Sequence, residues 1–589
     1  MSNQEIAKLF RNIAAAYSIK DDKKFRFQIL AYQKASEAIS NMTSEIKDSY
    51  KEGKLDLLPG IGVTIKSRIE ELLKNGHVKH FDLVLKNIPE SVFVLLDIPS
   101  IGPKKAYKLT KELSLNDSKN AIEKLIIEAK NGEIAKIPTF GKKSEQDILI
   151  AILEYTKGKT KTARMVLPYA GEIAENVLFY LKKCPAIEKA VLLGSLRRMM
   201  PTVGDIDIAV ASKSPAKAIE HFVRYPYKDR VLEEGPATAS ILTSGSKQID
   251  LMVQPVEGFG ALLQHFTGSK NHNIHLREHA LKKGLSLSER GIKHLNENNQ
   301  KIEKFDTEEK FYNAIGMDWI PPELRENTGE IEFAIQHKLP KLVEHSDIKG
   351  DLHIHTNFAI EPSHDLGHNS IKEMADYAEK LKYEYIGFSE HNPSISRHTS
   401  DEIYTLIAKR NDAIEQIQLS NKNIRTLKLL EIDILTNGLL AINDKSLNLL
   451  DGAIVSIHSS FKTNKKEMTK RAINGLFHPK AKILAHPTGR ILNERSGYEL
   501  DFDQIFEFCL KNNKALEINA WPNRLDLPDS LIRQAVKYGV KLAINTDSHS
   551  LTEMNLMKYG VAMARRGWAQ KSDIINTLSY NEFITWLKS

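Results

Sequence analysis

Beyond Gly350 the sequence alternates, and that alternation constrains the fold more than any other feature of the chain. Seven apolar runs, at 352–355, 385–389, 429–435, 452–458, 482–486, 516–520 and 542–545, are separated by stretches with helical spacing of apolar residues. Connections of that length cannot be tight hairpins, so the pattern predicts parallel strands joined by helices, in a barrel or an open sheet.

The same runs carry the histidines. His353 and His355 lie two apart in the first run, and His391, His458 and His486 each stand at the end of a later one. Glu431 falls in the third run, and Asp547 and His549 follow the last. The C-terminal ends of parallel strands converge on one rim. A lone histidine there is usually structural, but eight metal-capable side chains at successive strand ends point to a metal site. Imidazole with carboxylate suits Zn²⁺, Mn²⁺ or Fe²⁺.

Residues 1 to about 155 read as short amphipathic helices, with apolar spacing as in Ile6, Leu9, Phe10, Ile13 and in Ile65, Ile69, Leu72, Leu73. A breaker-rich element recurs three times: Leu58-Pro59-Gly60-Ile61-Gly62, Ile98-Pro99-Ser100-Ile101-Gly102 and Ile137-Pro138-Thr139-Phe140-Gly141. Lys66 and Arg68 follow the first, Lys104 and Lys105 the second, and Lys142 and Lys143 the third. Glycine lets a backbone approach another molecule closely, and a helix N-terminus offers free N–H groups to a phosphate. One copy is as well explained by a plain turn. Three copies favour contacts to a nucleic-acid backbone, which position without reading sequence.

The most specific segment runs from Gly194-Ser195-Leu196-Arg197-Arg198 to Gly204-Asp205-Ile206-Asp207. Strands are expected at 190–193, 205–211 and 248–253. Asp205 and Asp207, two apart, would share a strand face, and Asp250 would add a third carboxylate from another strand. Three close carboxylates repel unless hard cations lie between them, which suits two Mg²⁺ or Mn²⁺ ions. Gly194, Ser195 and Arg198 offer N–H groups, a hydroxyl and a guanidinium to triphosphate oxygens. A bare Asp-x-Asp is most often only a strand end; the full string is far more restrictive.

That string resembles the nucleotidyltransferase superfamily, with the spacing of the DNA polymerase beta-like family X. The three Pro-x-x-Gly elements resemble helix-hairpin-helix motifs, with Gly60, Gly62, Lys66, Arg68, Gly102 and Lys104 toward DNA. His265-Phe266-Thr267-Gly268-Ser269 resembles a family segment lining the sugar side of the nucleotide pocket, and Asn273 and Arg277 follow at the family's spacing. The resemblance covers about residues 1–320. It implies a hairpin domain at 1–88, fingers at 89–155, a palm at 156–262, a thumb at 263–325 and a linker at 326–348. His265 stands where the family has tyrosine, and Met252 where arginine is common. Arg68 stands where lyase-active members have a Schiff-base lysine. A guanidinium stays protonated and is no amine nucleophile, so efficient lyase chemistry is not expected.

Residues 349–589, with Asp351-x-His353-x-His355, Ser389-Glu390-His391 and Asp547-Ser548-His549, resemble the polymerase-and-histidinol-phosphatase (PHP) family. The resemblance implies a distorted (β/α)7-type barrel, two or three metal ions and a 3′–5′ exonuclease preferring Mn²⁺. The family's Asp-Gly after the first histidines is replaced by a longer segment, in which Glu361 or Asp365 could serve. Glu390 stands where aspartate is common.

Charge agrees with this division. Residues 101–200 hold 19 basic and 11 acidic side chains, an excess equal to the whole chain's +8, whereas the last 259 residues hold 33 and 32. No apolar run approaches the roughly 18 residues that cross a bilayer. The N-terminus has no signal-peptide pattern, and two distant cysteines, Cys184 and Cys509, form no disulfide framework. A cytoplasmic monomer acting on gapped or primed duplex DNA with dNTPs is expected. A template-independent nucleotidyltransferase is disfavoured by the hairpins and by 266–277, and a scaffold with only the barrel active by the intact aspartates.

Overall fold

The computed structural model describes the chain except residues 2, 41–45, 47–49, 51–54, 56–60, 99–100, 119, 143, 147, 150, 153–163, 244–246 and 296–300. It divides into two compact units. The first takes in Met1–Met165, Val223–Glu233 and Ser240–Ile249; the second takes in Val166–Phe222, Glu234–Ala239 and Asp250–Ser589.

In the first unit the helical spacing is realised. Ile6, Phe10 and Ile13 from helix Asn3–Asp21 share one core with Ile65, Ile69 and Leu72 from helix Val63–Asn75, and Leu9 and Leu73 pack at its edge. A second core joins Ile98, Ile101, Ala106 and Leu109 to Ile134, Ile137 and Phe140. Pro103 opens helix Pro103–Glu112, where its missing N–H costs no hydrogen bond.

In the second unit, strand β1 (Lys189–Leu192) runs antiparallel to β2 (Ile206–Ala211). On the other side of β2 lies β3 (Lys247–Gln254), which belongs to this unit from Asp250 onward. Ile249, Leu251 and Val253 of β3 are buried, so Asp250 points to the opposite face. Helices Phe259–Thr267 and Lys270–Lys282 follow, then the antiparallel pair Leu285–Ser288 and Gly291–His294. The segment expected as a linker, 326–348, contributes to a buried core. Ile331, Ala334 and Leu342 join Leu276, Phe311 and Tyr312 in one buried cluster, together with Trp568 from near the chain's end.

The alternating pattern after Gly350 gives eight parallel strands rather than seven. They are β4 (Gly350–Ile354), β5 (Tyr385–Phe388), β6 (Arg425–Lys428), β7 (Glu431–Asp433), β8 (Ala453–Ser456), β9 (Ala481–Leu484), β10 (Ala515–Asn519) and β11 (Lys541–Asn545). The single strand expected at 429–435 is the short β7, with β6 just before it. β4 to β6 form one sheet and β7 to β11 another. Parallel bridges join the two at both seams, His391 to Glu431 and Ile354 to Ser548.

Candidate functional site

Asp205 stands at a bend just before β2, not within it; Asp207 is the second residue of β2, and Asp250 lies in neighbouring β3. Burial, then the charges of Asp205 and Asp250, push the Asp207 carboxyl up to about 7, while Arg198 pulls it down. A buried carboxyl raised by two neighbouring carboxylates marks a donor set for hard divalent cations, so the residues fit Mg²⁺ or Mn²⁺. Gly194 has φ 56, and a Cβ there would collide with the Asp207 carboxylate. The turn carrying Ser195 can therefore pass beside Asp207 only with glycine at its start. Gly204, half-buried, leads into Asp205.

Arg198, read from sequence as a triphosphate ligand, is already held by protein groups. Its Nη1 donates to the Thr267 carbonyl at 2.6 Å and its Nε to Glu326 Oε1 at 2.9 Å. Its neighbour Arg197 donates to Thr267 Oγ1 at 2.6 Å and pairs with Glu308 at 2.5 Å. Glu308 also receives Arg325 Nη1 at 2.6 Å. Burial would raise Glu308, but Arg325 and Arg197 hold it down at about 2. A Cβ on Gly268 (φ 71) would lie 3.2 Å from Arg198 Nη1, so this segment abuts the arginine. Phe266 meets the His265 ring edge-on at 4.8 Å. Asn273 donates to the His265 carbonyl at 2.7 Å, and exposed Arg277 comes within 3.5 Å of His265 Nδ1.

Gly62 and Gly102 precede their helices with φ −73 and −78, so neither uses glycine's left-handed freedom. A Cβ at Gly62, Gly102 or Gly141 would meet nothing within 4 Å among the described residues. Packing among the described residues does not require glycine at these three positions. Gly60, with Leu58 and Pro59, lies outside the described residues, as do Pro99, Ser100 and Lys143. Lys66 Nζ is 3.9 Å from Glu70, Arg68 Nη1 is 3.2 Å from Glu71, and Lys104 pairs with Asp22 at 2.6 Å. The last is a surface pair, worth little against a phosphate.

All eight expected metal-capable residues of the C-terminal half come together, with Glu431 at the centre. Its carboxylate lies 3.2 Å from His353 Nε2, 3.0 Å from His391 Nδ1, 3.3 Å from His458 Nε2 and 3.0 Å from His486 Nε2. His355 Nε2 is 3.1 Å from Asp547 Oδ1, and the His549 ring stacks on His355 at 4.2 Å. Of the two open candidates, Asp365 joins the cluster, 3.3 Å from His391 Nε2, while Glu361 turns away to His398 at 3.2 Å.

Within this buried cluster His353 Nε2, both His355 nitrogens, His486 Nδ1 and His549 Nε2 make no hydrogen bond among the described residues. Buried ring nitrogens that make no hydrogen bond yet lie close to carboxylates, as His353 Nε2 and His355 Nε2 do, are suited to cations. Burial and His549 press His355 down to about 3, and burial and Arg524 press His486 down to about 4. Burial opposes the charge on Glu431, yet the surrounding imidazoles hold it well below the carboxylate range. Burial likewise lowers His391, but Glu431 and Asp365 carry it up to about 10. The carboxylates thus demand positive charge, which a divalent ion would supply.

Several participants carried no strand-end signal. Buried Glu517 in β10 accepts from His353 Nδ1 at 2.7 Å and from the His486 backbone N–H at 2.7 Å. It fixes the His353 ring with Nε2 toward Glu431. Its sequence trace is an acid inside an apolar run. Asp433 takes His458 Nδ1 at 2.7 Å and His364 Nε2 at 3.0 Å. Glu390 is committed to Arg410 at 2.6 Å and to Thr356, which removes it from the cluster.

Known proteins align with both halves. Residues 262–326 match the DNA polymerase beta thumb family, and residues 1–78 match a helix-hairpin-helix domain family. The chain is 34% identical over 595 residues, the whole of both chains, to the DNA polymerase/3′-5′ exonuclease PolX of Bacillus subtilis (strain 168). It is 24% identical over 312 residues, 49% of each chain, to DNA polymerase lambda of Rattus norvegicus. With similarity end to end, a matching thumb and three carboxylates gathered beside Gly194 and Arg198, the chain belongs to the family X DNA polymerases.

Proposed function

We propose that the chain is a template-directed, gap-filling DNA-repair polymerase that also removes nucleotides from 3′ ends. The observation that carries the first activity is the meeting of Asp205, Asp207 and Asp250 beside the Gly194–Arg198 turn. The second rests on the Glu431-centred cluster, in residues 349–589 read as a PHP-type barrel closed at its two seams.

Divalent ions, when bound, would neutralise phosphate charge and acidify the attacking hydroxyl at the first site or the attacking water at the second. Mg²⁺ or Mn²⁺ suits the three aspartates as a pair of ions, and Mn²⁺, Zn²⁺ or Fe²⁺ suits the histidine cluster as two or three. The Ser195 hydroxyl and the backbone N–H groups of its turn orient the triphosphate, and Arg198 offsets its charge. Phe266 and Gly268 line the sugar side, with His265 in place of tyrosine, and Asn273 and Arg277 face the base pair. The hairpins at Gly62, Gly102 and Gly141 grip the DNA backbone. In the second site Glu517 holds His353, while neutral His355 and His486 present lone pairs.

The test is a 5′-labelled gapped duplex incubated with and without dNTPs, in Mg²⁺ and in Mn²⁺. Asp250→Asn should lose extension and keep 3′ shortening, and His355→Ala should do the reverse. Normal extension by Asp250→Asn would remove the polymerase assignment. No shortening by the unaltered protein in either metal would remove the nuclease.

A further inference from the structure

Helix Met557–Arg566 belongs to the histidine-rich half, yet its side chains reach into the polymerase half of the same compact unit. Lys558 Nζ lies 3.1 Å from Glu175. Tyr559 packs so close to Gly171 that a Cβ there would stand 2.8 Å from its hydroxyl. Arg565 Nε pairs with Glu323 at 2.7 Å.

Arg566 goes furthest. Its side chain is 2% exposed. Nη1 donates to the Arg198 carbonyl at 2.7 Å and to Glu326 Oε1 at 3.0 Å, and Nη2 pairs with Asp529 at 2.5 Å. The same Glu326 oxygen receives Arg198 Nε. Asp529, Arg566, Glu326 and Arg198 therefore form a row of alternating charge. It runs from the start of helix Asp529–Tyr538 to the arginine beside Asp207.

We propose that Arg566 is a positioning residue for the incoming nucleotide, acting through Glu326 and the Arg198 carbonyl. The proposal rests on the reading of Arg198 as a triphosphate ligand. Glu326 and a triphosphate compete for the Arg198 guanidinium. Arg566 shares Glu326 and so weakens its hold on Arg198. The row is neutral with Arg566 and carries one net negative charge without it, beside a site for a polyanion. Loss of Arg566 therefore tightens the Glu326–Arg198 pair and adds repulsion, and both raise KM for the nucleotide. The Arg198 carbonyl also loses its donor, loosening the turn that carries Ser195.

Steady-state extension by the full-length protein on a gapped duplex tests this. Arg566→Ala should raise KM for dNTP about tenfold with kcat within about twofold, and should shorten 3′ ends at the unaltered rate. Arg566→Lys, which keeps the charge but not the fork, should recover part of the loss. Should the alanine variant not fold, the lysine variant must still show a raised KM with intact 3′ shortening. In a Glu326→Gln background the Arg566→Ala effect should shrink, because the carboxylate they share is gone. An unchanged KM in the Arg566 variants, or an undiminished effect beside Glu326→Gln, would overturn the coupling. Arg198→Ala is the control arm. If it leaves KM unchanged, the nucleotide-site reading has failed and the coupling with it. If it raises KM while the Arg566 variants do not, the coupling alone has failed.

Discussion

Replacing Glu517 by glutamine keeps the shape of the side chain and halves its capacity to accept from the His353 ring and the His486 backbone. The ring would be free to turn or to switch tautomer, and buried partners that orient metal-binding histidines are worth 10–100-fold in affinity or activity, roughly. Glu517→Gln should thus raise the Mn²⁺ concentration needed for 3′ shortening by about that factor, with extension unchanged; a metal titration of both rates checks it. The eight metal-capable residues were legible because strand ends converge whatever the loops do. Glu517 was not, since an acid inside an apolar run looks the same from sequence whether it orients a ligand or caps a strand. Asp365 and Glu361 could not be separated either. Both lie in an irregular segment whose path is set by contacts such as that of Glu361 with His398.

Elements translate the same limits into stretches of chain. The strand expected at 429–435 came out as the shorter β7, and β6 was missed because Arg425-Thr426-Leu427-Lys428 carries one apolar residue; apolarity does not mark where one sheet gives way to the other. The hairpins were legible from their repetition, though not the reason for their glycines. At Gly102 the backbone is ordinary and the space in front is open. Gly102→Ala should leave the melting temperature unchanged or slightly higher, by restricting the unfolded chain, while weakening gapped-duplex binding several-fold in a fluorescence anisotropy titration. Equal DNA affinity would separate this glycine from the interface. The clasp of Arg197 and Arg325 on Glu308 predicts an acid response. Its folded value of about 2 lies below the ordinary 4.5, so its stabilisation is complete above about 4.5 and disappears as pH falls through about 2. Glu308→Gln leaves two arginines with a buried neutral partner and should cost about 3–5 kcal/mol near pH 6. The difference between variant and unaltered protein should narrow steadily below pH 4.5. Fluorescence of Trp319, whose Nε1 donates to Glu308 Oε2 at 3.3 Å, reports it in urea titrations.

For the whole molecule, the sequence divided well by composition and poorly by dependence. The basic stretch at 101–200 set an expected nucleic-acid-binding region apart from the near-neutral, histidine-rich end of the chain. The segment 326–348 read as a polar linker, and Ile331, Ala334 and Leu342 within it are core residues whose cluster Trp568 completes. No sequence period connects positions more than two hundred residues apart. Trp568 meets Phe333 edge-on at 5.2 Å and carries the Arg533 guanidinium 3.7 Å over its ring. Trp568→Ala should cost about 3–5 kcal/mol, and calorimetry should show the 263–342 segment and the histidine-rich half melting earlier together; a shift confined to one of two separate transitions would contradict this. The shared core also bears on how such a chain can change over generations. Its candidate metal-binding side chains can be lost singly by point mutation, each loss leaving Trp568 and Arg566 in place. Deletion of the half that carries them would open the thumb's interior and strip Glu326 of a partner in the same event. Descendants that abandon the nuclease are thus expected to retain its scaffold as a silent fossil, its histidines eroding while the helix Met557–Arg566 stays under selection.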